Sequence, residues 1–408
     1  MGFRYPYPKT RFVFQSLVEQ LSKRQILELT GLRRVGKSTL IFQLINHILG
    51  KKTDNFSILY FTFDEEQPAL ADLFNSYFQQ TQIDYKNKNI FVFLDEIQKL
   101  NNFENQLKVY YDLYPNIKFV ISGSAGLFIR KKSQESLAGR IFPKFILPLS
   151  FPEYLFFKEK EDLIKKPTLY EAELENEFLL YLESQFVESV FMKKEERKIY
   201  FEQIVKKIIF EDLPSIFKFD NPQVLWNIIK FLAAKPGMIV NNVHLASDMG
   251  VSNKTLALYF SYLENSFLIK KYFNFSRNIQ SAEKRLKKYY LASSSFSVSL
   301  TDFIDRHLLF ENYYASLSHD SYFFHDPQGH EVDFVGAKNS EILPTEIKFK
   351  KQLEEKDARN LIFFLRKYKV KTGQIVYLGK EEKEINVRET IVHHVPYYKI
   401  LSPSWQKC

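Results

Sequence analysis

The segment Gly31-Leu32-Arg33-Arg34-Val35-Gly36-Lys37-Ser38 sets two glycines five positions apart and follows them with a lysine and a hydroxyl. That spacing suits phosphate: the glycines let backbone N–H groups close around it, the lysine bridges the β- and γ-phosphates, and the hydroxyl can ligate Mg²⁺. An apolar run, Ile26–Thr30, precedes the loop, and an amphipathic stretch from Thr39 to Leu49 follows it. The phosphates would therefore lie where a strand ends and a helix N-terminus supplies favourable dipole charge. At an average glycine content of about 7%, these four specified positions arise by chance in roughly one chain in a hundred. The residues expected to line a nucleotide are Gly31 through Thr39.

Further along, Phe91-Val92-Phe93-Leu94 runs into Asp95-Glu96. An aspartate at a strand's C-terminal end can hold the Mg²⁺ shell, and the adjacent glutamate can polarise an attacking water. A phosphate loop alone would also suit a kinase, but a kinase has no use for an activated water, so the acid pair favours hydrolysis of ATP.

A third constellation lies near the C-terminus. Glu331-Val332-Asp333-Phe334-Val335 and Pro344-Thr345-Glu346-Ile347-Lys348-Phe349-Lys350 read as two strands of a meander. Alternation puts Glu346 and Lys348 on one face, and Asp333 on the neighbouring strand could share it. Glu311 falls on a helical stretch upstream. Carboxylates so placed could hold Mg²⁺, with the lysine orienting an attacking water. A solvated strand face carrying an ion pair, or a platform that binds without cleaving, would show the same residues.

The elements that must position these groups are legible in outline. Between residues 25 and 150, strand candidates Gln25–Thr30, Ile58–Asp64, Ile90–Asp95, Ile117–Ser122 and Phe142–Leu147 alternate with amphipathic helical stretches, which reads as a doubly wound α/β layer. Residues 151–221 become helical and highly charged. Within 222–292, Val243–Leu256 has the cadence of a helix-turn-helix, with Gly250 at the turn and Ser252 able to cap the second helix. Leu268–Phe273 and Lys288–Leu291 could form a wing hairpin, and Lys254, Lys270, Lys271, Lys284, Arg285, Lys287 and Lys288 could touch phosphates of DNA. Residues 293–408 return to mixed helix and strand.

Composition narrows the class. Of 408 residues, 45% are hydrophobic and 26% charged, which excludes a mainly disordered chain, and 13 Gly with 15 Pro exclude a collagen-like one. The net charge of +9 permits a nucleic-acid partner without requiring one. Forty Phe and 24 Tyr read as compositional bias before they read as stacking platforms. The single cysteine, Cys408, excludes an intrachain disulfide and cysteine-held metal. With Pro6 and Pro8 where a signal peptide needs an apolar run, and no apolar stretch near the length of a membrane span, the expectation is a cytoplasmic protein with no membrane partner.

The order of these parts resembles the AAA+ ATPases: a Walker A loop, a Walker B strand, Ser122-Gly123-Ser124 at the end of the next strand, and Arg140 just before a fifth strand. The resemblance implies that Ser124 (or Ser122) occupies the sensor-1 position, where Asn is more usual. It also implies that Arg140 acts as an arginine finger towards a neighbouring copy in a homo-oligomer. Together with Leu94-Asp-Glu-Ile-Gln98 and Leu147-Pro-Leu-Ser-Phe-Pro-Glu-Tyr154, the chain is similar to a prokaryotic subgroup of these ATPases whose C-terminal domain was long described only as of unknown function. The helix-Glu, strand-Asp, strand-Glu-x-Lys arrangement resembles the PD-(D/E)xK nucleases. This implies Asp333, Glu346 and Glu311 as metal-holding acids and Lys348 as the catalytic lysine. The expected fold is thus a parallel-sheet P-loop domain (1–150), a helical linker (151–221), a winged helix (222–292) and a restriction-endonuclease-like α/β domain (293–408). The expected function is ATP- and Mg²⁺-dependent action on DNA; the alternative is a regulatory NTPase switch whose C-terminal domain binds DNA or protein without cutting.

Overall fold

The computed structural model describes residues 5–51, 53–123, 137–276, 286–318, 320–338 and 341–400. The chain divides into two compact units, Met1–Leu147 and Pro148–Cys408.

The first unit is built on five parallel strands: β1 (Ile26–Thr30), β2 (Ile58–Thr62), β3 (Ile90–Asp95), β4 (Ile117–Gly123) and β5 (Ile141–Phe145), in the order β2-β3-β4-β1-β5. A parallel sheet needs crossover helices, which cover its faces and make its strands apolar throughout. β1 and β4 are accordingly buried along their whole length. Phe74 of the helix Leu70–Thr81 and Phe103 and Leu107 of the helix Phe103–Leu113 pack with Val92, Leu94, Phe119 and Ile121 from the sheet. The strands that alternation predicts are all present, with ends shifted by one or two residues.

Two ionisable residues within buried strands break the apolar rule, Glu28 in β1 and Lys118 in β4. Glu28, in the middle of β1, is 5% exposed, and burial pushes its carboxyl up to about 7. The folded protein therefore retains a proton that the unfolded chain sheds above its ordinary pKa of 4.5. Stability falls as the pH rises from there through 7. Glu28→Gln should leave the unfolding free energy nearly unchanged at pH 5 and raise it at pH 8 by up to about 3 kcal/mol. Denaturant titration at both pH values checks this; equal effects at the two would contradict it.

The second unit carries a nine-stranded mixed sheet in the order β13-β14-β12-β11-β10-β9-β7-β8-β6. Its strands are β6 (Ile239–Val240), β7 (Ile269–Asn274), β8 (Lys287–Leu291), β9 (Tyr322–His325), β10 (Glu331–Lys338), β11 (Glu341–Lys348), β12 (Thr372–Tyr377), β13 (Lys383–Val387) and β14 (Thr390–Pro396). The helix Phe151–Phe157 starts at a capping box, in which the Glu153 carboxylate accepts from Ser150 N at 3.0 Å and Ser150 Oγ accepts from Glu153 N at 3.4 Å. This helix and the helix Glu171–Leu182 share one core with the far end of the chain. Phe151, Phe178 and Tyr181 pack in edge-on and tilted contacts with Phe310, Tyr313 and Tyr397. The aromatic abundance is thus spent largely inside the protein, where ring pairs add to area burial.

Residues 222–292 follow the order helix (Pro222–Ala234), β6, helix (Asn242–Asp248), helix (Asn253–Asn265), β7, β8. Asn241 caps the first of the paired helices and Ser252 the second, the latter accepting from Thr255 N at 3.1 Å. Gly250, at φ +66°, makes the turn between them. The β7–β8 hairpin is not a free wing: β7 pairs with β9 in parallel, so the sheet runs on without interruption into β10 and β11.

Candidate functional site

β1 ends at Thr30, and the loop after it turns back on itself. Gly31 has φ +145°, and a Cβ there would lie 2.4 Å from the carbonyl oxygen of Ile146, so the close passage of two backbones requires glycine. Gly36, at φ +94°, starts the helix Lys37–Gly50. Leu32 and Val35 are buried and anchor the loop, while Arg33 is half-buried and Arg34 exposed. Lys37 is buried, and its Nζ donates to the carbonyls of Gly31 (3.0 Å) and Leu32 (2.8 Å). Ser38 and Thr39 follow in the first helical turn.

Asp95 closes β3 at 3% exposure. Its carboxylate accepts from the Ser122 hydroxyl, and its Oδ1 accepts from Glu96 N at 3.2 Å. The Ser122 oxygen also receives Glu96 N at 3.4 Å. Ser122, at the end of β4, is therefore the polar residue that touches the acid pair; Ser124 lies outside the described residues. Glu96 has φ +52°, and the Gln98 amide donates to its carboxylate. The hydroxyl of Ser38 and the carboxylate of Asp95 are hard oxygen donors of the kind Mg²⁺ takes, which fits the expected ion.

Two residues here escaped the motif reading. Arg11 donates from Nη1 to Val35 O and from Nη2 to Leu147 O, each at 3.1 Å, which ties the phosphate loop to the end of the unit. Tyr60, on β2, is held above the ordinary range by burial and by the neighbouring Asp95 carboxylate. Neither residue belongs to a recognisable spacing; strand pairing brings Tyr60 near because Thr62 lies opposite Asp95.

Arg140 stands elsewhere. Ile26 pairs with Ile141, and Arg140 O accepts from Ile26 N at 2.8 Å, so Arg140 sits at the start of β1. The phosphate loop leaves the other end, five residues and about 16 Å away along a parallel strand. The guanidinium grips Asp112 through Nε (2.8 Å) and Nη2 (2.9 Å). It is not part of its own chain's nucleotide site.

In the second unit, β10 and β11 are antiparallel, with Phe334 opposite Thr345. The β9–β10 register shifts between Val332 and Val335, a stretch that includes Asp333. The Asp333 carboxylate accepts from Ile347 N at 2.8 Å, while Lys348 Nζ lies 2.6 Å from Glu346. Asp333, Glu346 and Lys348 are thus brought together on two adjacent strands. Glu346 is 2% exposed and its Oε1 has no hydrogen-bond partner; burial, then the charge of Asp333, pushes its carboxyl well up. Glu311, on the helix Arg306–Leu317, is directed to a different partner. It takes a hydrogen bond from the Tyr290 hydroxyl and faces Lys288 Nζ at 3.3 Å. Burial raises the Glu311 carboxyl to about 7 despite that lysine. Lys288 also meets Glu331 at 2.5 Å. Among the described residues no three His, Cys, Asp or Glu side chains converge closely enough to hold a metal ion. The unpartnered oxygen of Glu346 and the neighbouring Asp333 carboxylate nonetheless offer the donor chemistry that Mg²⁺ requires.

A cleft of about 630 Å³ opens beside Lys348, lined by Arg306, His307, Lys350 and Asp357 among others. Arg306 makes no ion pair among the described residues, and burial lowers the His307 imidazole from its ordinary value.

The expected phosphate contacts of the hairpin need correction. Lys270 donates inward to Ala315 O (2.8 Å) and Ser318 O (2.6 Å), satisfying the carboxyl end of the helix that carries Glu311. Lys271 pairs with Glu264 at 2.7 Å, and Lys288 is buried. The physical reason is the continuous sheet: with β9 on one side and β6 on the other, these strands turn their lysines towards internal carboxylates and carbonyls. Lys284 and Arg285 lie outside the described residues, leaving Lys254 and Lys287 of the group. The exposed side of the 253–265 helix holds Asn253, Lys254, Ala257 and Leu258, a poor set for reading base edges.

Residues 23–155 match the family described as an AAA domain, residues 180–306 a domain of unknown function (DUF8612), and residues 300–398 a second domain of unknown function (DUF4143). The first unit is an AAA-like P-loop ATPase. The chain is similar to the uncharacterized protein MJ1544 of Methanocaldococcus jannaschii, at 25% identity over 96% of this chain and 91% of that one. An uncharacterized protein of Haemophilus influenzae is 24% identical over 92% of this chain and 95% of its own. Among solved structures, it resembles the Walker-type ATPase paby2304 of Pyrococcus abyssi (15% identity, TM-score 0.46, 72% of this chain and 99% of that one). It also resembles AMPPCP-bound DnaA of Aquifex aeolicus (15% identity, TM-score 0.30, 62% and 86%). No helix among the described residues is long and apolar enough to cross a membrane.

Proposed function

We propose that this ATPase acts on DNA, and that its second unit carries a winged helix joined to a nuclease-like domain that cleaves phosphodiesters with Mg²⁺. The observation that carries the reading is the meeting of Asp333, Glu346 and Lys348 on β10 and β11. The surrounding order supports it: a helix with Glu311, the three-stranded meander β9-β10-β11, the helix Arg359–Tyr368, and β12 returning parallel to β11. Parallel return after a helix places both on one sheet and leaves the acid-bearing strand ends facing the 306–317 helix. The cleft lined by Arg306, Lys348 and Lys350 offers cationic groups to a phosphodiester backbone beside the acids. The bound ion would supply Lewis-acid stabilisation of the developing charge. The chain's own part is to hold Asp333 by the Ile347 amide, to keep Glu346 dry, and to set Lys348 where it can orient a water.

In the first unit, Lys37 would neutralise phosphate charge and Ser38 and Asp95 would hold Mg²⁺, while Glu96, fixed by Gln98, would polarise the water. Cytoplasmic ATP is the nucleotide this reading requires. The experiment that tests the whole is ATP turnover with and without DNA: multiple turnover accelerated by DNA is expected. Turnover unaffected by any DNA form argues against action on DNA.

A second reading is favoured by Lys288. Because its ammonium already sits among the acids, the C-terminal domain could serve as a binding platform governed by nucleotide state. Very slow turnover with retained product, and no cleavage, would identify that switch.

For Arg140, action in trans requires exchanging Asp112 for a partner's phosphate. Specific ATPase activity should then rise with protein concentration and Arg140→Ala should flatten the curve. A wild-type rate strictly proportional to concentration would contradict a role between copies.

A further inference from the structure

We propose that the cleft beside Lys348 takes an unpaired nucleotide of single-stranded DNA, with a base stacked on Phe303 and a phosphate held by Arg306. This rests on the reading that the second unit acts on DNA, and names the form of DNA it takes.

The cleft of about 630 Å³ has the size of a site for one small molecule. A cube of that volume has an edge under about 9 Å, whereas the major groove of a duplex alone is about 12 Å wide. Three cations line it, Arg306, Lys348 and Lys350. Two are already matched: Lys348 Nζ lies 2.6 Å from Glu346, and Lys350 Nζ lies 2.8 Å from Asp357. The other lining acid, Asp305, caps the 306–317 helix by accepting from His307 N at 2.6 Å. Arg306 is exposed and makes no ion pair among the described residues. Its guanidinium therefore offers a planar set of donors that fits a phosphate.

Phe303 supplies the second part. It is 92% exposed, more than any other large apolar side chain among the described residues, while the aromatic rings of this unit's core are buried. It stands two residues before Asp305, so the two Cα atoms are at most about 7 Å apart. The chain on either side is tied down. Thr301 Oγ1 donates to Ser297 O at 2.9 Å, Asp302 pairs with Lys198 at 3.0 Å, and Ile304 packs against the core. Fixed neighbours hold the ring out in water, where it gains none of the stabilisation that burial brings. Phe349 adds a second ring, lining the cleft edge-on to Phe310 with centroids 6.0 Å apart. Stacking on such rings needs a base with a bare face. In a duplex both faces of each base are covered by its neighbours, whereas an unpaired base can lie on an aromatic side chain. Rings beside the cleft and an unmatched cation within it thus select single strands, loops or frayed ends, with little regard to sequence.

The test is binding of the full chain to a labelled oligothymidylate and to a labelled duplex of equal length, read by fluorescence anisotropy. Divalent metal is left out so that nothing is cut. The single strand should bind more tightly than the duplex. Phe303→Ala should weaken single-strand binding by about five- to a hundredfold, the loss expected for one base–aromatic stack, and leave duplex binding within about twofold. Because Phe303 is so exposed, the substitution leaves the core intact. Phe303→Trp should bind like the wild type and Phe303→Leu like the alanine variant, which separates stacking from apolar contact. Arg306→Gln should weaken the single strand and flatten its slope of log affinity against log salt by about 0.7, one phosphate contact. Equal affinity of the wild type for the two forms, or a Phe303→Ala chain within about twofold of it on the single strand, overturns the proposal and leaves action on DNA standing. No binding of either form removes both. Single-strand binding that weakens as expected in these variants, without metal-dependent cutting of any DNA, supports the proposal and contradicts cleavage.

Discussion

Lys37→Ala should slow ATP hydrolysis by roughly a hundred- to a thousandfold, the range seen when one preorganised charge donor is removed from a reaction centre. The lysine is already held within the loop by the Gly31 and Leu32 carbonyls, so little reorganisation is needed to present its charge. The same loss removes attraction for the β- and γ-phosphates, and nucleotide affinity should fall with the rate. Glu96→Gln should slow hydrolysis by a comparable factor, roughly 10² to 10⁴ for loss of general-base assistance. It should leave binding intact, because the loop and Lys37 are untouched. Phosphate release and titration with a fluorescent ATP analogue separate the two outcomes. A Lys37→Ala protein that hydrolyses ATP at the wild-type rate would remove the phosphate loop from the chemistry. A Glu96→Gln protein that loses binding instead would make Glu96 structural.

Asp333→Asn should abolish cleavage of supercoiled plasmid and of circular single-stranded DNA in Mg²⁺ or Mn²⁺. Outer-sphere partners of metal sites commonly account for 10- to 100-fold, so loss of a carboxylate that reaches the ion should exceed about a hundredfold. Asparagine keeps an oxygen acceptor for Ile347 N, which preserves the β10–β11 contact and isolates the charge. The pH profile gives a second readout. Burial and the adjacent Asp333 keep the Glu346 carboxyl well above its usual range, and the neutral form is a poor ligand. Wild-type cleavage should therefore climb as the pH rises above the range in which an ordinary carboxyl ionises. Assays with and without ATP would show whether the first unit gates the second. Metal-dependent cutting that persists in Asp333→Asn would place the active centre elsewhere; no cutting by the wild type, with ATPase intact, would favour the nucleotide-controlled binding platform.

The nucleotide site of the first unit was open to reading from sequence because its chemistry is local. Gly31 to Thr39 is one strand end, one loop and one helix start, and Asp95-Glu96 is one strand end. Spacing therefore reports geometry. Glu346 and Lys348 were legible for the same reason, as period two on a strand. Residues supplied by strand pairing were not. Nothing about Tyr60 predicts that β2 will lie beside β3, and nothing about Ser122 against Ser124 says which hydroxyl reaches Asp95. The hairpin shows the same limit more sharply. Leu268–Phe273 and Lys288–Leu291 have the alternation of a free wing, and lysines on a wing read as phosphate contacts. Alternation reports that a strand exists and which residues share a face, but not which sheet it joins. Once β7 pairs with β9, Lys270 becomes a helix cap and Lys288 a buried counter-ion.

That pairing also sets apart the unit of inheritance from the unit of folding. The two matched domains of unknown function meet within residues 300–306, yet the sheet passes through this junction without a seam. Lys270 closes the end of the 306–317 helix and Lys288 faces its middle, both from the stretch assigned to the preceding domain. Anyone transplanting the acid-bearing portion into another ATPase would have to carry residues from about β6 onward. A graft beginning at the apparent boundary would arrive with an uncovered sheet edge, an uncapped helix and two stranded glutamates.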